Sequence, residues 1–239
     1  MESTTFLALS KQVAIEMRLA NLANNLANAS TPGFKRMDMS FESFLRRQDA
    51  TGPILYPVER PARTDLASGP LVVTGNQLDL AVTRNDRAFF LVQRGDERLV
   101  TRAGAMQVDA ERRIVTASGD PILGADEAPI VLPGRSADVN VTEGGAIYEG
   151  AELVGQLAVV EVSAGATLDP QGGNLLRASR TEPAEQFTVK QGVIEQSNVQ
   201  AVIELTRLIQ LSRDFEALQQ VSSSEHARLV DVIDRIPAV

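Results

Sequence analysis

"ANNLANASTPGFKR", residues 23–36, closes a helical stretch with a heavy load of amides and then breaks it abruptly. Asn21, Asn24, Asn25 and Asn28 lie close together, and asparagine costs a helix roughly 0.5 kcal/mol per site relative to alanine. Residues 4–28 hold no Pro or Gly, and Ile15, Leu19, Leu22 and Leu26 recur at intervals of four, three and four, which predicts a helix. Pro32 pushes Thr31 out of the α region and Gly33 can take a positive φ, so the helix is expected to end from Ala29.

On a helical projection the four asparagines share one side. Leu19, Leu22 and Leu26 lie opposite, with Ala20, Ala23 and Ala27 between. One reading leaves the amides solvated. The other has both faces contacted: leucines against one neighbour, alanines allowing close approach, and amides hydrogen-bonded to another subunit. Lys, Glu or Gln would solvate a face at less cost to the helix, which favours the second reading.

Beyond the break, residues 41–70 mix Pro53, Pro57, Pro61 and Pro70 with charges and read as an extended connector, with one helical turn around "FESFLRR". From Leu71 to about Val189 the period becomes two. "LDLAV" sets Leu78, Leu80 and Val82 on one face, while "AFFLV" and "LAVVEV" are apolar on both faces and predict central strands. "DAERR" reads as a hairpin turn and "DPQGGN" as a longer loop. After Gly192 helical spacing returns. Leu208, Leu211, Phe215, Leu218, Ser222, Glu225, Leu229, Val232 and Ile236 take heptad a and d positions, and Val202, Leu205 and Ile209 widen the stripe. The expected class is α+β: long N- and C-terminal helices pairing as a coiled-coil-like domain, with an inserted all-β domain of many short strands. The expected divisions are 1–30 helix, 31–70 linker, 71–190 β-rich domain and 191–239 helix.

Composition narrows the function. With 23 Lys+Arg against 31 Asp+Glu the net charge is −8, which argues against nucleic acid or an anionic membrane as the main partner. There is no run of 18 apolar residues, so membrane insertion is not expected. The first twenty residues lack the features of a cleaved signal peptide, and taken alone this reads as cytoplasmic. The absence of cysteine fits a reducing compartment, and equally a chain that must not be cross-linked before it arrives. His226 is the only histidine, and no G-x-S-x-G elbow, metal-ligand spacing or phosphate-binding glycine loop appears. No catalytic residue, cofactor or metal is expected; the chain reads as a non-enzyme.

The opening stretch resembles the N-terminal signature of the bacterial flagellar rod and hook proteins, close to A-N-N-[LIV]-A-N-x-x-T-x-G-[FY]-[KR]. Asn24, Asn25, Leu26, Ala27, Asn28, Thr31, Gly33, Phe34 and Lys35 match it. "GPLVVTGNQLDLAV", "FFLVQ" and "TRAGAMQVDAERRIVTASGDPILG" are similar to the family's β core, and "QGVIEQSNVQAVIELTRLIQLSRDFEA" to its C-terminal signature. Two departures stand out: "VTRNDRAFF" lacks the glycines usual before the double Phe, and Met106 stands where Phe is typical.

The resemblance implies a structural subunit of the basal-body rod, the shaft that transmits torque to the hook. The modest linker and single β domain suit a proximal-rod member, with a distal-rod member as the alternative and a β-domain adhesin or scaffold with coiled-coil ends as a more distant one. It further implies export through the flagellar type III apparatus without a cleaved signal, which replaces the cytoplasmic reading. The implied partners are copies of the chain and neighbouring rod proteins. The implied assembly surfaces are Leu19, Asn21, Leu22, Asn24, Asn25, Leu26 and Asn28 on the first helix, and Leu205, Leu208, Leu211, Phe215, Leu218, Leu229 and Val232 on the last. Thr31, Pro32, Gly33 and Phe34 form the turn between helix and linker.

Overall fold

Phe89 and Phe90 are adjacent in the chain, point to opposite faces of one strand, and are both fully buried. Alternate residues therefore feed two cores. Phe90 and Val92 pack with Leu80, Val82, Leu99, Ile114, Ile122 and Leu157, whereas Phe89 and Leu91 pack with Val100, Leu123, Val162 and Leu168. The computed structural model describes residues 2–39, 41–48, 52–59, 63–134 and 138–234, with side chains described outside 2–10, 41–48, 52–59, 222 and 225–234.

The chain divides into two units, one of Asn28–Arg36 with Thr64–Val199, the other of Met1–Ala27, Met37–Arg63 and Gln200–Val239. In the first, the β unit, six strands run in the order Leu168–Pro170, Leu175–Ala178, Glu97–Thr101, Ala88–Arg94, Val159–Val162, Thr181–Pro183. Neighbours are antiparallel. The register sets Phe90 opposite Thr101 on one side and opposite Val159 on the other. A slip of one residue would exchange the two cores, so register is strongly fixed. "AFFLV" and "LAVVEV" are thus interior strands, as their two-sided apolar pattern predicts. Leu80–Thr83, from "LDLAV", pairs with Thr188–Gln191. "DAERR" is a turn between Met106–Val108 and Ile114–Thr116, where Asp109 Oδ1 accepts from Arg113 N at 2.8 Å.

Both departures from the family text are accommodated. Met106 is 2% exposed and fills a core position with a flexible side chain. Arg84 is exposed and holds φ at 71°, left-handed backbone that a side chain disfavours. Replacing Arg84 by glycine is therefore expected to stabilise the β unit by about 1 kcal/mol. A urea midpoint that falls instead would mean the Arg84 side chain outweighs the backbone gain.

In the second unit, α1 (Glu2–Ala27) and α2 (Ala201–Asp234) accompany a hairpin of Phe41–Gln48 with Gly52–Glu59. "FESFLRR" is a strand and not a helical turn. Its partner carries Pro53 and Pro57, four residues apart, so their missing N–H groups lie on the same edge, where a two-stranded ribbon tolerates them. The predicted return to helix directly after Gly192 is also corrected. Val193–Glu195 is a strand paired with Leu71–Val73, and α2 begins only at Ala201.

The expected coiled-coil-like pairing of the terminal helices does not hold. A coiled coil buries its a and d side chains as knobs in holes. Here Leu208, Leu211, Phe215 and Leu218 are only half-buried, and Val202, Leu205 and Ile209 are 79%, 46% and 46% exposed. On α1, Ile15 is the one buried apolar residue among the described side chains. The helices instead border an open groove lined by Ala14, Ile15, Leu211, Ala217, Leu218 and Val221, with Lys11, Arg18 and Asp214. The architecture is two helices bracketing a largely β-rich middle, and the inserted β domain fits. The Leu229 and Val232 side chains, and Ile236, lie outside the described residues.

Candidate assembly site

The amides at the end of α1 divide by environment. Asn25 is 1% exposed. Its Nδ2 donates to Met37 O at 2.8 Å and its Oδ1 accepts from Met37 N at 3.0 Å. Both backbone groups of Met37 are thereby satisfied by one side chain, which explains an asparagine where helix propensity disfavours it. Asn21 is half-buried, its Oδ1 3.4 Å from Asn25 Nδ2. Asn24 is exposed, while Leu19, Leu22, Leu26 and Asn28 are half-buried.

The turn is built within the β unit. Thr31 Oγ1 donates to Asn28 Oδ1 at 3.2 Å, and Phe34 N donates to Thr31 O at 3.2 Å. Pro32 O accepts from Asn174 Nδ2 at 2.9 Å. Gly33 is buried at φ 71°, and its N–H donates to Glu195 O at 2.8 Å. Thr31, Pro32 and Phe34 are half-buried.

Next to this turn lies a buried ionic cluster that sequence reading quoted as text without assigning a role. Glu195 Oε1 meets Lys35 Nζ at 2.8 Å and Glu195 Oε2 meets Arg102 Nε at 2.6 Å. The side chains of Lys35, Arg102 and Glu195 are no more than 2% exposed. Every remaining donor nearby finds an oxygen. Lys35 Nζ reaches Leu66 O at 3.2 Å and Ala67 O at 2.8 Å, and Arg102 donates to Val82 O at 2.8 Å, to Asn85 O at 3.1 Å and to Ala88 O. Gly69 N adds a bond to Glu195 Oε1 at 2.9 Å. Burial lowers the Lys35 pKa from its ordinary value, outweighing the opposing pull of Glu195. Asn198 completes the arrangement: its Oδ1 accepts from Arg36 N at 2.6 Å and its Nδ2 donates to Asp65 O and Ala67 O, both at 3.0 Å.

Lys35, Arg102, Glu195 and Asn198 come from the three signature stretches, so those stretches meet at one point. A signal was present in the sequence: charged residues embedded in apolar signature text. What the arrangement does chemically is clamp backbone. Among the described residues, no group of three or more His, Cys, Asp or Glu side chains is placed to hold a metal ion, and no helix is long and apolar enough to cross a membrane. On α2, Val202, Leu205 and Ile209 form an exposed apolar stripe, and Leu208, Leu211, Phe215 and Leu218 are half-buried.

Known proteins carry the same three stretches. Residues 14–35 match the family model described as "Flagella basal body rod protein", 85–149 match "Flagellar hook protein FlgE/F/G D1 domain", and 190–232 match "Flagellar basal body rod FlgEFG protein C-terminal". The flagellar basal-body rod protein FlgF of Mesorhizobium japonicum is 32% identical, covering 95% of this chain and 97% of its own. The chain belongs to the flagellar basal-body rod protein family. Within that family, FlgF of Caulobacter vibrioides is 29% identical over 99% of this chain and 98% of its own. FlgG of Buchnera aphidicola is 30% identical but covers less, 85% of this chain and 88% of its own. The chain is a FlgF-like structural subunit of the rod, with FlgG the weaker reading.

Proposed function

We propose that this proximal-rod subunit joins its neighbours, copies of itself and other rod proteins, through its terminal helices, and so forms part of the shaft that transmits torque to the hook. The observation that carries this reading is the apolar face of α2. Val202, Leu205 and Ile209 are 79%, 46% and 46% exposed on one side of a 34-residue helix. Solvent-facing apolar stripes of this kind mark protein interaction surfaces. The half-buried Leu19, Leu22 and Leu26 of α1, with Leu208, Leu211, Phe215 and Leu218 of α2, extend the contact area. The exposed Asn24 adds a polar contact point, whereas Asn25 serves its own chain. A rod needs heterologous, non-closing contacts, in which one patch meets a different patch on the next copy. The subunit reaches the basal body by the flagellar export route without a cleaved signal, as the family resemblance implies.

Leu205 is partly exposed, so Leu205→Asp leaves the fold intact and places a charge on the proposed surface. Cells carrying it are expected to accumulate folded subunit, lack it in purified basal bodies, and lose motility. Normal incorporation and swimming would remove this face from the interface.

A further inference from the structure

The strand pair Leu71–Val73 with Val193–Glu195 has little apolar support. Leu71, Val72 and Val73 are 43%, 43% and 81% exposed, and neither they nor Val193 and Ile194 join either described core. The adjoining segments 33–36 and 65–69 behave similarly; only Leu66 packs against a core. These three pieces are held to one another by polar bonds. Gly33 N donates to Glu195 O at 2.8 Å, Asp65 N to Arg36 O at 2.8 Å, and Gln196 N to Pro70 O at 2.9 Å. Ser68 of the connector also donates to Asp86 Oδ1 at 2.5 Å and accepts from Arg102 Nη2 at 3.3 Å, while the ion pair that ties all three pieces to the rest of the β unit is made by the Glu195 carboxylate. This carboxylate joins Lys35 from the incoming segment and Gly69 from the connector to Arg102 at the end of the strand Glu97–Thr101.

Regions with few apolar contacts open at lower free energy than the cores beside them. Removing one partner from a buried ion cluster leaves uncompensated charge, which is strongly destabilising at that place. We propose that Glu195 is a latch. Its carboxylate closes segments 33–36, 65–73 and 193–198 as one cooperative block. Without it they open together while the six-stranded sheet stays folded. The block carries the chain out to α1 and onward to α2, so the latch governs the two segments through which the β unit is joined to the helices.

Hydrogen exchange on the full chain tests this with Glu195→Gln, which keeps shape and removes charge. Amides of Gly33, Asp65 and Gln196 are expected to exchange about a hundredfold faster. Amides of Leu91, Gln93 and Leu123, which donate to Ala158 O, Pro121 O and Leu91 O, should keep their wild-type rates. Equal acceleration at all six sites overturns the latch, because Glu195 would then set global stability. Unchanged rates at Gly33 and Gln196 overturn it too. If Glu195→Gln does not fold, Lys35→Met, which preserves the Arg102–Glu195 pair, must give the same division between the two groups in smaller degree; a uniform or absent response then overturns the proposal.

Discussion

Replacing Arg102 by methionine is expected to destabilise the β unit by about 3–5 kcal/mol, among the largest effects available in this chain. Arg102 is 2% exposed, and its guanidinium serves Glu195 and the carbonyls of Val82, Asn85 and Ala88 together. Its Cζ also lies over the Phe89 ring, 5.8 Å from the ring centre. Methionine fills much of the volume but donates nothing, so a buried carboxylate loses its second cation and several carbonyls lose their donor. Since a domain's net stability is only about 5–15 kcal/mol, such a loss brings the unit near its unfolding threshold. The chain has no Trp, so urea unfolding is best followed by far-ultraviolet circular dichroism. A triple variant, Lys35→Met with Arg102→Met and Glu195→Leu, strands no charge and should be more stable than Arg102→Met alone. A triple variant less stable than the single one would show that the cluster contributes net stability beyond mutual neutralisation.

How far the sequence could be read depends on the range of the interactions involved. "AFFLV" and "LDLAV" announced their strands because alternation is a local signal that burial then enforces: Phe89 and Phe90 feed separate cores, and Leu80 and Val82 share one. The break at Pro32 and Gly33 was equally legible, since backbone stereochemistry is written residue by residue. Lys35 and Glu195 are different. They are 160 positions apart, and no periodicity connects them. Both stood inside recognised signature text, yet text matching assigns no partner. "FESFLRR" misled because a short segment with mixed polarity takes its conformation from its hairpin partner. The heptads of α2 misled for a related reason. An apolar stripe fixes which face of a helix avoids water, not which surface covers it, and Leu208, Leu211, Phe215 and Leu218 remain only half-buried. Helical projection sets Asn25 among the amides offered to another subunit because it reports angle alone, while its amide bonds the chain's own Met37.

Gly33→Ala should be nearly as damaging as Arg102→Met, at about 3 kcal/mol or more, for reasons a control can separate. One is conformational: φ at 71° is open to glycine and costs a residue with a Cβ about 1 kcal/mol. The other is steric, because a Cβ on Gly33 would stand 2.2 Å from Ala103 N and 2.4 Å from Arg102 C, both backbone atoms that cannot swing aside. Gly95 supplies the control, with φ at 60° and no atom within 4 Å of an added Cβ. Gly95→Ala therefore carries the conformational cost alone, and the difference between the two variants in urea unfolding measures the clash. Equal losses would mean that the turn yields around the methyl group. An excess at Gly33 means the incoming segment has been lifted from Arg102 and Ala103, and Lys35, two residues later, is drawn from Glu195 with it. In that case Gly33→Ala should also accelerate exchange at Asp65 and Gln196, linking the backbone stereochemistry of the signature turn to the ionic latch beneath it.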